Sequence, residues 1–374
     1  MKIHMKENVW EATLERIRYL FDEFEFITIG MSGGKDSTVV YELAKKVAIE
    51  KNRLPLNVFW IDQEAEWTQT VEHIKKIMHE DYVKPYWYQM PILIENATSY
   101  EQKYLYCWDK KEEGNWLFPK DEVSIKDNNY NQEKWEGLFS SIFKVDFKGK
   151  NHCHLTGMRA EESPRRAMGI SQGLTYKNIT WGSKNGFKHN HFSFHPIYDW
   201  SYTDVWKAIN DNNWEYNPIY DLQFRYGVAI PNMRISNLHH ETAVRSLFYL
   251  QEFDRELYNR MTQRLQGVDM AGKMGKDDYY IKKLPNMFAS WVEYRDYLVE
   301  KLVKSDEKWY HMITKFIKDH NIIYKDYEGG IIEMSKNVVQ CIVCNDTAGT
   351  KLLNHRRKSD LYKKDMEMFV HDRV

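Results

Sequence analysis

Two hydrophobic periods alternate along the first 100 residues. Apolar residues three or four positions apart predict amphipathic helices, and short apolar runs predict buried strands. Helical faces of this kind lie at 10–21, 39–47 and 71–78. The apolar runs lie at 26–29, 56–61 and 86–88. This order predicts an α/β fold with a doubly wound, mainly parallel sheet, in which right-handed crossovers carry helices to both faces.

The pattern changes twice further along the chain. Residues 100–150 are rich in Trp, Tyr, Lys and Asn with weak periodicity, which predicts an insertion of helices and loops over the edge of the sheet. The sheet is predicted to resume at 152–156, and helical periodicity dominates from residue 201. We therefore expect an α/β domain over residues 1–210 and a mainly helical C-terminal domain over residues 211–374.

A glycine-rich loop joins the first predicted strand to the next helix, and it reads Ser32-Gly33-Gly34-Lys35-Asp36-Ser37. A glycine pair in this position lets backbone N–H groups converge on an anion, and the helix N-terminus adds positive potential. Lys35 supplies a mobile positive charge for phosphate, and Asp36 is a candidate Mg²⁺ ligand. The spacing differs from the Walker pattern. The alternative is a glycine turn with exposed polar side chains.

A second charged segment follows the strand predicted at 152–156, and its key residues are Gly157, Arg159, Glu162, Arg165 and Arg166. Arginine grips phosphate or sulfate oxygens with two parallel hydrogen bonds. A carboxylate such as that of Glu162 orients an arginine or binds metal. The segment therefore predicts a phosphate clamp, and the alternative is a solvated charged loop.

These motifs together resemble the phosphoadenosine-phosphosulfate reductase family. Residues 32–37 match the SGGKDS pyrophosphate loop of the adenine nucleotide α-hydrolase group, and residues 157–166 fit the family's Gly-x-Arg-x-x-Glu-Ser-x-x-Arg motif. Residues 196–206 resemble the family's segment P-I-x-D-W-x-x-x-D-V-W, and 58–62 resemble the strand that ends in an Asp near the nucleotide. The resemblance covers about residues 25–210.

The resemblance implies an adenine nucleotide α-hydrolase-like (HUP) domain that binds ATP and Mg²⁺. The implied reaction is cleavage of ATP at the α-phosphate, which yields AMP or an adenylyl product together with pyrophosphate. It implies catalytic roles for Lys35, Asp36 and Arg159, and Mg²⁺ binding at Asp36 or Asp62. It also implies nucleotide contacts from all of the loop residues and from the following positions: Asp62, Gly157, Arg159, Glu162, Arg165 and Arg166.

One departure from the family bears on the reaction. Sulfonucleotide reductases of this family carry a nucleophilic Cys in a C-terminal Glu-Cys-Gly segment, and no Glu-Cys-Gly occurs in this chain. The sequence therefore favours an enzyme of the ATP pyrophosphatase type. A sulfonucleotide reductase or sulfur-transfer component is the first alternative, and a nucleotide-sensing regulatory or defence protein without turnover is the second.

The four cysteines are Cys107, Cys153, Cys341 and Cys344. Cys341 and Cys344 have the spacing of a zinc site that His355 and a distant His or Cys would complete. Their apolar flanks instead favour a buried strand in which cysteine acts as a small hydrophobic residue. An iron–sulfur reductase needs a Cys-Cys pair as well as Cys-x-x-Cys. We therefore predict neither zinc nor an iron–sulfur cluster.

The C-terminal third resembles a narrower branch, the immunoglobulin-binding regulator A type, at 234–236, 284–291 and 341–346. That resemblance implies a ParB-like partner protein. A net charge of −1 speaks against a protein that coats nucleic acid but leaves DNA open as a local partner. The sequence has no apolar leader and no run of about 18 apolar residues, so we expect a cytoplasmic protein without a membrane partner.

Overall fold

The computed structural model describes residues 6–99, 101–171, 176–177, 179–184, 190–225, 227–230, 233–240, 247, 250, 254–273, 283–344, 346–353 and 355.

A six-stranded sheet forms the centre of the first part of the chain. Its strands in chain order are β1 (Phe26–Gly30), β2 (Leu56–Ile61), β3 (Val83–Tyr88), β6 (His152–Leu155), β7 (Gly182–Lys184) and β8 (His191–Phe194). Their order across the sheet is β3-β2-β1-β6-β8-β7. The first five strands in this order pair in parallel, and β7 pairs antiparallel with β8. The predicted doubly wound, mainly parallel sheet is confirmed.

Two short strands, β4 (Ile92–Glu95) and β5 (Tyr104–Cys107), form a separate pair. The helices of the α/β part are α1 (Val9–Glu23), α2 (Lys35–Glu50), α3 (Thr68–Met78), α4 (Leu138–Asp146), α5 (Pro164–Ser171), α6 (Tyr202–Asp211) and α7 (Ile219–Arg225). The later helices are α8 (Arg255–Arg264), α9 (Val268–Lys273), α10 (Trp291–Leu298), α11 (Glu307–Ile323) and α12 (Glu328–Val343). Short 3₁₀ turns occur at Lys110–Asn115 and Ala160–Glu162, and α10 continues into a π-helical turn at Val299–Val303.

Alternate residues of the strands point to opposite faces of the sheet and pack against different helices. One face carries Ile29, Val58 and Leu155, which belong to the same buried core as the apolar faces of α1 and α2. The opposite face carries Phe59, whose ring lies 5.5 Å from that of Phe143 on α4. Because both faces are covered, the central strands are buried along most of their length, and the polar residues Thr28, His152 and His154 are buried with the apolar ones.

The chain forms two compact units, which consist of residues 1–94 with 106–237 and of residues 95–105 with 238–374. The first unit thus extends beyond the boundary near residue 210 that the sequence indicates, and it includes α6 and α7. A short segment that overlaps the start of the predicted insertion, residues 95–105, belongs to the second unit. Residues 356–374 of the predicted helical domain lie outside the described residues.

The expected strand at Cys341 and Cys344 is wrong, because Cys341 lies in the last turn of α12 and Cys344 follows it as the C-terminal cap. Both are buried, and they occupy the apolar side of an amphipathic helix rather than an alternating strand. Within the part of the chain that the structure describes, no helix combines the length and the apolar character needed to cross a lipid bilayer.

Candidate functional site

The strand order brings the two sequence motifs to one place. The chain runs from β1 outward through β2 to β3, and then returns to place β6 on the other side of β1. The order of the strands therefore reverses between β1 and β6. In such sheets a crevice forms beyond the carboxyl ends of the strands at the reversal, and ligands bind there. The loop at 32–37 follows β1 and the segment at 156–166 follows β6.

The loop after β1 has an open backbone curl that ends on a long helix. Gly33 has a φ of +72°, a conformation that favours glycine. Gly34 is the N-cap of α2 and provides no side-chain cap, so the first turn of a 16-residue helix is capped only from outside. The Ser37 hydroxyl donates to the Gly34 carbonyl oxygen at 2.9 Å and lies 3.1 Å from the Ser32 hydroxyl.

A buried charge cluster lies at the first turn of α2. The Asp36 carboxylate accepts hydrogen bonds from both cations, with Oδ1 at 2.5 Å from Arg159 Nε and Oδ2 at 3.0 Å from Lys35 Nζ. The side chains of Lys35 and Arg159 are 7% and 5% exposed, and that of Asp36 is 15% exposed. Two cations that neighbouring loops hold at one helix N-terminus form an anion-binding arrangement.

Gly157 allows the second loop to approach the first. A Cβ atom at this position would lie 2.7 Å from the backbone carbonyl carbon of Asp36 and 2.7 Å from the backbone nitrogen of Ser37. Only glycine fits at such a distance, because the obstructing atoms belong to the backbone. The residue therefore sets the separation between α2 and the segment that carries Arg159.

The remaining charged residues after β6 hold this segment in shape. Glu161 accepts from Arg159 Nη1 at 3.0 Å and from the backbone N–H of Tyr202 at 2.7 Å. Glu162 accepts from the backbone N–H of Arg159 at 3.1 Å and from the guanidinium of Arg166. Arg165 is exposed. Nucleotide contacts by Glu162, Arg165 and Arg166 stay predictions, whereas Arg159 is the arginine that reaches the loop.

Asp62 lies at the end of β2 and is 1% exposed. Its Oδ2 atom accepts from Trp87 Nε1 at 3.0 Å and from Gln89 Nε2 at 2.9 Å, and its Oδ1 atom accepts from the backbone N–H of Glu64 at 2.9 Å. Burial raises the pKa of this carboxyl to about 7, against the effect of these hydrogen bonds. The structure thus gives both oxygens protein partners, and the nucleotide and Mg²⁺ roles of Asp62 stay predictions.

Two residues that sequence reasoning missed contact the loop from the segment that begins α7. The Asn217 side-chain amide donates to the Gly33 carbonyl oxygen at 3.2 Å and to the Thr70 hydroxyl at 2.9 Å. The Tyr220 hydroxyl accepts from the backbone N–H of Lys35 at 3.0 Å. These contacts join residues 147 to 185 positions apart. The local sequence signal was an Asn-Pro pair just before a short helix.

The fold and this site define a parallel α/β protein with a glycine-rich loop and a buried charge cluster at its strand reversal. The chain belongs to the phosphoadenosine phosphosulfate reductase family, whose domain matches residues 27–226. Residues 227–369 match a family described as a domain of unknown function. The finer branch suggested by the C-terminal third stays a resemblance.

Two relatives span most of the chain. YbdN of Escherichia coli (strain K12), an uncharacterized protein, is 24% identical over 325 residues, which cover 83% of this chain and 79% of that protein. An uncharacterized protein of Methanocaldococcus jannaschii is 26% identical over 287 residues, which cover 75% of this chain and 56% of that protein.

Two solved structures are similar at low TM-scores. Candida glabrata FMN adenylyltransferase in complex with FMN and an ATP analog is 13% identical with a TM-score of 0.38, and covers 64% of this chain and 66% of its own. Phosphoadenylyl-sulfate reductase from Candida auris is 16% identical with a TM-score of 0.33, and covers 64% and 98%. Likeness at these TM-scores is too low to assign a function.

Proposed function

We propose that this chain binds ATP at the loop of residues 32–37 and cleaves it between the α- and β-phosphates. The products are AMP, or an adenylyl group passed to an acceptor, and pyrophosphate. The observation that carries this proposal is the convergence of Lys35 and Arg159 on Asp36 at the N-terminus of α2. Cations placed where charge develops on the leaving pyrophosphate lower the barrier to its departure.

The phosphate chain would lie on the backbone N–H groups of the loop. While no anion is bound, Asp36 pairs with both cations and Glu161 pairs with Arg159, so two carboxylates balance the two positive charges. A bound pyrophosphate group offers Lys35 and Arg159 new oxygen partners, and phosphate is the anion that an arginine fork grips well. Binding therefore exchanges an internal pair of salt bridges for contacts with the ligand.

The residues fit Mg²⁺ at Asp36. Its carboxylate has lone pairs beyond the two that the cations engage, and it stands at the phosphate-binding end of α2. Asp62 fits poorly, because three N–H donors already occupy its oxygens and burial favours its protonated form. Mg²⁺ held by Asp36 would neutralise charge on the phosphate oxygens.

Sulfonucleotide reduction by a cysteine nucleophile has little support from the thiols. All four cysteines are buried, and burial raises the pKa of the Cys153 thiol well above its usual value. A reactive thiol needs access and a lowered pKa.

Product analysis tests the proposal. The full chain is incubated with ATP and MgCl₂, and nucleotides and pyrophosphate are separated by ion-exchange chromatography. We expect AMP and pyrophosphate in equal amounts, and their loss in Lys35→Ala but not in the control Lys45→Ala. Lys45 lies on the same helix and pairs with Glu42. ADP as the main product would overturn the proposed reaction, and tight binding without turnover would favour a nucleotide sensor.

The ParB-like partner protein stays part of the proposal. It rests on the resemblance of the C-terminal third alone, and an adenylyl acceptor on that partner would appear as label transferred from α-³²P-ATP in a mixture of the two proteins.

A further inference from the structure

Tyr220 places a hydroxyl group against the phosphate-binding loop from outside the strand–loop–helix unit. Its oxygen accepts the backbone N–H of Lys35 at 3.0 Å. Lys35 is the first residue of α2, so this N–H has no partner inside the helix. The tyrosine therefore caps the helix in place of a side chain at Gly34.

The hydroxyl proton of Tyr220 remains unused. A phenol both accepts and donates hydrogen bonds. Among the described residues, no acceptor for this proton lies within hydrogen-bonding distance. The Tyr220 side chain contacts the backbone N–H of Lys35, the Lys35 ammonium 5.4 Å from the ring centre, and the Trp206 ring at 5.3 Å.

Gly34 leaves a space beside this hydroxyl. The nearest atoms to a Cβ built at Gly34 would be the Tyr220 hydroxyl oxygen at 3.3 Å and Ser32 Oγ at 3.4 Å. Two hydroxyl groups thus border the position that a side chain at Gly34, the N-cap of α2, would occupy. A group with several acceptor oxygens matches this set of donors.

We propose that Tyr220 is a phosphate ligand of this loop, which accepts the Lys35 amide and donates its own proton to an oxygen of the bound pyrophosphate group. This inference rests on the proposed function. Burial raises the pKa of the Tyr220 hydroxyl, so it stays protonated as a donor across the working pH range. Edge-on packing against Trp206, at an interplanar angle of 90°, fixes the direction of the ring.

Tyr216 provides a matched control. Its ring also packs edge-on against Trp206, at 5.3 Å and 87°. Its hydroxyl donates instead to the Asp221 carboxylate at 2.9 Å, at an exposed position. Tyr216→Phe and Tyr220→Phe therefore remove the same atom from rings with the same packing partner, and only Tyr220→Phe removes a hydroxyl from the loop.

Titration calorimetry of the full chain with ATP, inorganic pyrophosphate and adenosine tests the inference. We expect Tyr220→Phe to weaken ATP and pyrophosphate binding about tenfold to a hundredfold, the effect of losing a hydrogen bond to a charged group. Adenosine affinity should stay within about twofold, since adenosine has no phosphate, and Tyr216→Phe should match the wild type with all three. Equal weakening with ATP and adenosine would reduce Tyr220 to a structural cap and overturn the inference.

The two proposals fail differently. If the wild type binds neither ATP nor pyrophosphate, the proposed function falls and the ligand role falls with it. A second outcome is that the wild type binds ATP, that Lys35→Ala abolishes this binding and that Tyr220→Phe retains it. In that case only the role of Tyr220 is wrong. Should Tyr220→Phe not fold, a crystal structure of the wild type with pyrophosphate decides: a Tyr220 hydroxyl within 3.2 Å of a phosphate oxygen, the usual hydrogen-bond limit, supports the role, and a hydroxyl turned away overturns it.

Discussion

Asp36 sets the charge balance of the candidate site. The Asp36 carboxylate pairs with two nearly buried cations and is held by hydrogen bonds as well as by charge. Its removal would leave Lys35 buried without this partner and Arg159 paired with Glu161 alone. A bound anion would therefore compete with Asp36 for both cations.

Asp36→Asn separates two roles of this carboxylate, namely the proposed binding of Mg²⁺ and the pairing with Lys35 and Arg159. The amide keeps the shape but carries no negative charge, so Lys35 loses its counter-charge and Arg159 keeps only that of Glu161. We expect magnesium-dependent turnover to fall about tenfold or more, as for loss of a group that supports a metal, while binding of pyrophosphate without metal is kept or strengthened. Calorimetry with and without MgCl₂ measures both. The exposed Asp22, which pairs with Lys51, supplies the control Asp22→Asn, and equal losses under both conditions would contradict the expectation.

Arg159→Ala removes the arginine that, among the residues the structure describes, contacts Asp36 at the loop. Truncating a buried charged partner of an anion costs about 2–5 kcal/mol, so ATP affinity should fall at least about tenfold. Arg18→Ala is the control, because Arg18 forms an exposed ion pair with Glu50 on another surface. Calorimetric titration of the two variants is the measurement, and an Arg159→Ala affinity within about twofold of wild type would count against the assignment.

At the scale of elements, the site depends on how closely the loop after β6 approaches the first turn of α2. Gly157→Ala would place a methyl group 2.7 Å from two backbone atoms of that turn. The backbone must shift to admit it, at a cost of about 1–3 kcal/mol, and ATP affinity should fall as Arg159 moves. Urea denaturation and ATP titration measure the two effects.

The control Gly169→Ala tests whether any added methyl group has this effect. A Cβ at Gly169 meets nothing within 4 Å, and the residue lies in α5 at an exposed position. Because alanine favours helix over glycine by up to about 1 kcal/mol, this variant should be as stable as wild type or more so. A loss of stability equal to that of Gly157→Ala would contradict the close-approach argument.

Buried histidines form a layer between β6 and α4. The Thr28 hydroxyl lies 2.7 Å from His152 Nε2 and 2.8 Å from His154 Nδ1. Burial lowers the pKa of His152 to about 2 and that of His154 to about 3. The two residues share one face of the strand, as alternation along a strand requires, and the rings of Phe143 and Phe147 each lie 4.6 Å from His152.

These histidines should make stability fall in acid. In the unfolded chain these histidines become protonated near pH 6.5, whereas in the folded chain they stay neutral to a much lower pH. The free energy of unfolding is therefore highest above pH 6.5 and declines as the pH falls toward the folded pKa values. Each group accounts for about 2 kcal/mol between pH 6.5 and 5. Urea denaturation at pH 7.5 and 5.0 measures this loss.

His152→Phe should reduce the loss of unfolding free energy between pH 7.5 and 5.0 by the contribution of one histidine. Phenylalanine fits the aromatic surroundings, and the Thr28 hydroxyl keeps its hydrogen bond to His154. The control His311→Phe changes an exposed histidine of α11 and should leave the pH dependence as in wild type. An unchanged pH dependence in His152→Phe would show that this histidine does not titrate as argued.

At the scale of the whole molecule, the cysteines lie in different parts of the fold, where they make structural contacts. Cys107 Sγ donates to the Gln63 carbonyl oxygen at 3.1 Å, Cys153 lies in the sheet core, and Cys341 Sγ donates to the Asp346 carbonyl oxygen at 3.3 Å. A [4Fe–4S] cluster needs four thiolates that converge. We expect no iron or acid-labile sulfide in anaerobically purified full-length chain, by colorimetric assay, and about four of each per chain would revive the sulfur-transfer alternative.

The division of the chain into two units depends on contacts between distant segments, which local sequence patterns do not predict. Residues 95–105 belong with residues 238–374, although more than 130 residues separate them. No periodicity within the segment encodes that partnership, because it depends on which surface the folded chain offers. The same holds for Cys341 and Cys344, where a short apolar run fits a strand and the face of a helix equally well.

The sequence alone determined the parallel α/β fold and the two loops, because hydrophobic period and glycine position act over a few residues. Only the tertiary structure decided which partners the side chains of these loops contact. It turned Arg159 toward Asp36, left Arg165 exposed, and surrounded Asp62 with three donors. It also brought Tyr220 to the Lys35 amide. The physical reason is that side-chain contacts between distant segments depend on the strand order, and that order emerges only when the whole sheet is assembled.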